Sequence, residues 1–75
     1  MRTITKVTVQ DLLKVTVTYK NTMETTGVSV ESLQNWKVKG SIPRRALAEI
    51  IVLLEQKEIN FYKSTDIDWE NYDGK

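Results

Sequence analysis

The reading of this chain turns on residues 27–45, GVSVESLQNWKVKGSIPRR. Gly27 can supply a turn with positive φ, which other residues adopt only under strain. Ser29 is a good N-cap. At 100° per residue, Val30, Leu33 and Trp36 fall on one face of the helix that follows, and Glu31, Gln34, Asn35 and Val38 on the other. Gly40 then ends the helix with a left-handed cap. Ser41 is placed to cap the next helix, with Pro43 in its first turn, where a missing N–H costs nothing. A basic pair, Arg44 and Arg45, opens that helix. A polar-faced helix beside a sharp turn can present side chains to base edges in a major groove. The expectation is a helix-turn-helix over about residues 18–38.

Downstream, Leu47, Ile50, Ile51 and Leu54 form a helical stripe from Arg44 to about Glu58, widened by Ala46 and Leu53. Val52 lies on the opposite side, among Arg45, Glu49 and Gln56. Upstream, Thr8 and Asp11 form a capping-box pattern before Val9, Leu12 and Leu13, which predicts a first helix. Residues 15–19 alternate and are β-branched, which reads as strand. Residues 20–26 are rich in threonine and favour turns and caps. A helix over 18–26 is nevertheless expected, because the turn at Gly27 needs one before it. Alternation over residues 3–9 predicts a short N-terminal strand or extended arm, and residues 59–63 suit another short strand. The expected fold is mostly α, a compact helix-turn-helix domain of four helices over residues 1–57. An acidic, aromatic C-terminal arm follows over 58–75, serving dimerisation or remaining flexible.

Composition narrows the function classes. The 75 residues allow one domain with one small core. The chain contains no cysteine and no histidine, which removes disulfides, thiolate metal sites and the commonest general base. No cofactor, small-molecule ligand or catalytic role is expected. Residues 1–57 carry nine Lys/Arg against five Asp/Glu, while residues 58–75 carry two against five. A mildly basic body thus carries an acidic tail. No apolar run approaches a membrane span, and the first residues lack an apolar signal segment, so a soluble cytoplasmic protein is expected. The acids Asp66, Asp68, Glu70 and Asp73 lack the mid-loop glycine of a calcium site.

At residues 27–45 the chain resembles the small phage repressor/Cro-type helix-turn-helix regulators, through Gly-Val-Ser, then Leu-x-x-Trp-Lys, then Ser-Ile-Pro. The likeness extends over roughly residues 8–57. It departs where such proteins carry a small residue four positions before the turn glycine and a large aliphatic one just before it: here stand Met23 and Thr26. The resemblance implies a dimer on inverted-repeat DNA that regulates transcription, with the start and outer face of the recognition helix reading bases. Those positions here are Ser29, Glu31, Ser32, Gln34 and Asn35.

Each candidate has a plainer reading beside the functional one. Gln34 and Asn35 can donate and accept together, matching adenine N6 and N7, yet exposed amides on helices are common. Glu31 can accept from cytosine N4 or simply favour the helix N-terminus. Lys37, Lys39, Arg44 and Arg45, four cations in nine residues, suit phosphate contacts, and so does Ser41 with the amides beside it; solvated charge and capping are the ordinary roles. Trp36 fits the core better than a base stack. Val52, Ile59, Phe61, Ile67 and Trp69 lie outside the helical stripe and are the candidates for a homodimer contact. Two other functions fit the same pattern: an excisionase-like recombination directionality factor, and a protein-interaction module or antirepressor that no longer touches DNA.

Overall fold

A computed structural model describes residues 3–74. Four helices follow one another: α1 (Val9–Thr16), α2 (Tyr19–Thr26), α3 (Val30–Lys39) and α4 (Arg44–Gln56). A single 3₁₀ turn, Ser64–Asp66, lies in the chain beyond α4.

The capping residues explain most boundaries. Asp11 N–H donates to Thr8 Oγ1 at 3.3 Å, and Thr8 N–H donates to the Asp11 carboxylate at 3.0 Å, closing the box at the start of α1. Thr18 caps α2 by accepting from Asn21 N–H at 3.0 Å. Gly27 ends α2 at φ 74°, its N–H donating to Met23 O at 2.8 Å. Ser29 caps α3, and Gly40 ends it at φ 92°. Both glycines stand in the left-handed region, where a Cβ is penalised.

Four local expectations need correction. Residues 15–19 form no strand. Instead α1 continues to Thr16, and the chain then reverses at Val17 with φ 72°. The carbonyl of Thr16 accepts from Thr18 N–H at 2.9 Å and from Asn21 Nδ2 at 2.6 Å, so local bonds replace the strand ladder that the β-branched run suggested. Residues 3–9 form no strand either; an isolated parallel bridge pairs Ile4 with Ile67. Residues 59–63 are likewise irregular. Finally, Ser41 does not cap α4. Pro43 is the N-cap residue and offers no side-chain bond, while the Arg44 amide donates to the carbonyl of Gly74. Pro43 also precedes the first turn by one residue. A backbone carbonyl from the tail satisfies the donor that a serine was expected to satisfy.

The threonines of α2 resolve the mismatch with a helical stretch poor in apolar residues. Thr22 and Thr26 are buried, and each hydroxyl returns to the carbonyl four residues earlier: Thr22 to Thr18 O at 2.8 Å, Thr26 to Thr22 O at 2.7 Å. The hydroxyls are thereby satisfied and the methyls pack, so a polar sequence lines a dry face. Met23, at the position where a small residue was expected, points outward and is partly exposed.

The core comprises Val7, Val9, Leu12, Leu33, Ile42, Leu47, Ile50, Ile51, Leu54, Ile67 and Tyr72. Its last two members belong to the tail. The acidic segment is therefore not an extended arm: it folds back over α4 and the N-terminal residues. The Tyr72 hydroxyl donates to Ile42 O at 2.7 Å and accepts from Val7 N–H at 3.2 Å. Asp73 N–H donates to Thr5 O, and Trp69 Nε1–H to Ser64 O at 3.0 Å. No helix among the described residues is long and apolar enough to cross a membrane.

Candidate nucleic-acid interface

Helices α2 and α3 pack together across a three-residue turn, Gly27 to Ser29. Leu33 is fully buried and Trp36 half-buried against the core, which fixes the inner side of α3. The opposite side faces solvent. Glu31, Gln34, Asn35, Val38 and Lys39 are exposed there, and Lys37 is exposed at the end of the helix.

The five residues expected to read bases separate into two groups. Ser29 Oγ accepts from Ser32 N–H at 3.2 Å and donates to Ser32 Oγ at 3.1 Å. These hydroxyls close the helix N-terminus, and half-buried Ser32 has little reach beyond it. Glu31, Gln34 and Asn35 make no side-chain hydrogen bond among the described residues, so their polar atoms are free to take an external partner. Glu31 also stands in the first turn of α3, where the helix dipole favours an acid.

The cations also differ from one another. Lys37 and Lys39 lie in the last turn of α3, exposed and without an acid within ion-pair distance. Among the described residues the single ion pair is Lys14 with Asp11, at 3.8 Å on α1. Arg45 is exposed in the same unpaired way, whereas the Arg44 guanidinium donates to Trp69 O at 3.3 Å and is drawn toward the tail. Ser41 is half-buried and shares a shallow surface cavity with Lys39, Pro43, Asp73 and Gly74. Since Gly74 O already occupies the first amide of α4, that helix start is not an open anion site. Asp73 further lowers the positive potential around Lys39.

One cation escaped the sequence reading. The Lys6 ammonium lies 3.8 Å from where a Cβ on Gly40 would stand, beside the carbonyl end of α3. It joins Lys37 and Lys39 at that helix end. Lys6 and Gly40 stand 34 positions apart with no sequence signal of the contact; it follows from Ile42 N–H donating to Val7 O at 2.8 Å, which straps the N-terminal segment to the loop after α3.

The residues expected to form a dimer contact are mostly occupied within the chain. Ile67 is 6% exposed, and Ile59, Phe61 and Trp69 pack against the core. The fold-back of the tail lets a single domain take up four of the five side chains expected at a homodimer contact. Val52 alone of the five is an exposed large hydrophobic, at 50%, in a shallow patch with Ala48, Glu49, Leu53 and Gln56. Asp66 and Asp68 act as local turn caps, accepting from Lys63 N–H and from Asn71.

Comparison with protein families, characterised proteins and solved structures gives no match to this chain.

Proposed function

We propose that this protein is a sequence-specific DNA-binding regulator, with α3 as its recognition helix in the major groove. One observation carries the reading: α3 leaves a tight, glycine-made turn with its inner side buried, and its outer side holds two unengaged amides, Gln34 and Asn35. Paired donors and acceptors of that kind match adenine. Lys37, Lys39, Arg45 and Lys6 supply the sequence-independent grip on phosphates. Regulation then follows from occupancy of DNA, as in the repressors the sequence resembles, with two copies on an inverted repeat. The excisionase-like alternative is less well supported, because a packed helix follows α3 where a basic wing would be needed.

A second reading has its own support. Asp73 beside Lys39, and Arg44 held by the tail, weaken the basic surface in the way expected of a protein-binding module. Selection of bound duplexes from a random pool, followed by gel shifts at two salt concentrations, tests the proposal. An enriched site whose log affinity falls steeply with log salt supports it. No enrichment, together with salt-independent or absent binding, overturns it in favour of the protein-binding reading.

A further inference from the structure

Val38 is 88% exposed, more than any other large hydrophobic side chain among the described residues. It does nothing visible for the fold. By helix geometry it lies within about 60° of Glu31, Gln34 and Asn35 and about 140–160° from Leu33 and Trp36. The valine thus sits near the middle of the polar side of α3, one turn beyond Gln34, with Lys37 and Lys39 on either side in sequence.

We infer that Val38 is a specificity-determining residue that packs on the C5-methyl of a thymine in the site bound by α3. This deepens the DNA-binding reading and rests on it. Four considerations support it. An isolated exposed apolar side chain is ordinary on a surface, but this one stands where the outward face is otherwise polar or charged. In the major groove thymine presents the only methyl group, so an apolar side chain on a groove-facing helix has one natural partner there. The stiff, β-branched valine keeps its two methyls in one rotamer, which suits a fixed contact. The flanking lysines favour a polyanion over an apolar protein surface, whose burial would strand two ammonium groups. Adenine read by Gln34 or Asn35 and thymine read by Val38 would make the preferred half-site A·T-rich near its centre of contact.

The experiment removes the methyl from each partner in turn. A site is first selected from random duplex DNA with the wild-type protein. Each thymine of that site is then replaced singly by deoxyuridine, and binding of wild type and Val38→Ala is measured on every duplex. Circular dichroism and thermal melting confirm that the variant folds, as expected for so exposed a position. At one thymine per half-site, wild type should lose about fourfold in affinity, the value of one buried methyl group. Val38→Ala should bind the original site about four- to tenfold more weakly and be indifferent to deoxyuridine at that position. If a site is enriched but Val38→Ala responds to every replacement as wild type does, this inference fails and the DNA-binding reading stands. If no site is enriched, both fail together.

Discussion

The hydroxyl of Tyr72 donates to the carbonyl of Ile42 at 2.7 Å, joining the tail to the loop that follows α3. The same oxygen accepts from Val7 N–H at 3.2 Å. Three segments distant in sequence therefore meet on one phenol that is 3% exposed. Tyr72→Phe keeps the ring and removes both bonds, leaving a buried amide and carbonyl less well satisfied. It should cost about 1–3 kcal/mol in urea denaturation. A wild-type midpoint in the variant would mean that the phenol is not the clasp described.

The same residue sets an alkaline limit. Burial, chiefly, raises the Tyr72 phenol above its ordinary value near 10.0; the Val7 backbone bond opposes the shift, and the charges of Asp73 and Asp11 add to it. A raised folded-state value means that the folded protein holds its proton longer than the unfolded chain. The contribution is therefore whole below pH 10, starts to decline there as the unfolded phenol ionises, and is lost as pH rises through the folded value. Urea midpoints measured from pH 8 to 11.5 should fall further for wild type than for Tyr72→Phe. Equal slopes would remove Tyr72 from the account.

Where local chemistry dictates structure, the sequence was readable. Gly27, Ser29 and Gly40 each permit one backbone role, and α3 begins and ends as they predict. Leu47, Ile50, Ile51 and Leu54 are buried, as their spacing requires. What was not readable depends on contacts between distant residues. Nothing in residues 58–75 marks Ile67 and Tyr72 as core, because their neighbours Ile4 and Val7 lie more than 60 positions away. The helix boundary at Thr16 is closed by bonds to its carbonyl from Thr18 N–H and the Asn21 side chain, a local arrangement that the β-branched pattern does not announce. At the candidate site, exposure of Gln34 and Asn35 was legible from periodicity, but the engagement of Ser29 with Ser32 and the approach of Lys6 to Gly40 were not.

The threonine-lined face of α2 gives an ordering that simple hydrophobicity would reverse. Thr22 is fully buried, donates to Thr18 O at 2.8 Å, and its oxygen lies in hydrogen-bond contact with that of Thr16. Thr22→Val puts a methyl where only an oxygen fits, combining a lost bond with overpacking. It should cost roughly 2–3 kcal/mol. Thr22→Ser keeps the hydroxyl and loses one methyl, for about 1 kcal/mol. Thermal or urea unfolding of the pair tests the order; a more stable valine variant would show that the hydroxyl is dispensable.

Base readout should be separable from stability. Gln34→Ala and Asn35→Ala alter exposed side chains without intramolecular bonds, so melting temperatures should stay near wild type. Each should weaken binding to the selected site by about 1–3 kcal/mol and leave binding to unrelated DNA nearly unchanged. Lys37→Ala, by contrast, should weaken both and flatten the log K against log salt slope by about 1 if it meets a phosphate. Wild-type affinity in both amide variants would place the recognition surface elsewhere.

The fold-back of the tail changes what a test of assembly must look like. A dimer through residues 52–69 would be probed by removing everything after Lys57, with a stable monomer as the outcome. In this structure that cut removes Ile67 and Tyr72 from the core and strips away the partly buried Ile59, Phe61 and Trp69. Losing even one large buried side chain costs about 2–5 kcal/mol, and a domain of this size has only about 5–15 kcal/mol to lose. The truncated chain should therefore be largely unfolded by circular dichroism, and its oligomeric state would say nothing about an interface. Val52→Glu is the sharper probe. Val52 is 50% exposed beside Ala48 and Leu53, so a charge there leaves the core intact while desolvation opposes any symmetric contact through α4. If two copies meet on this face, wild type should sediment as a dimer at micromolar concentration and Val52→Glu as a folded monomer with much weaker binding to an inverted repeat. Identical sedimentation of the two proteins as dimers would move the interface off α4, and a monomeric wild type with full affinity for a single half-site would remove the dimer altogether.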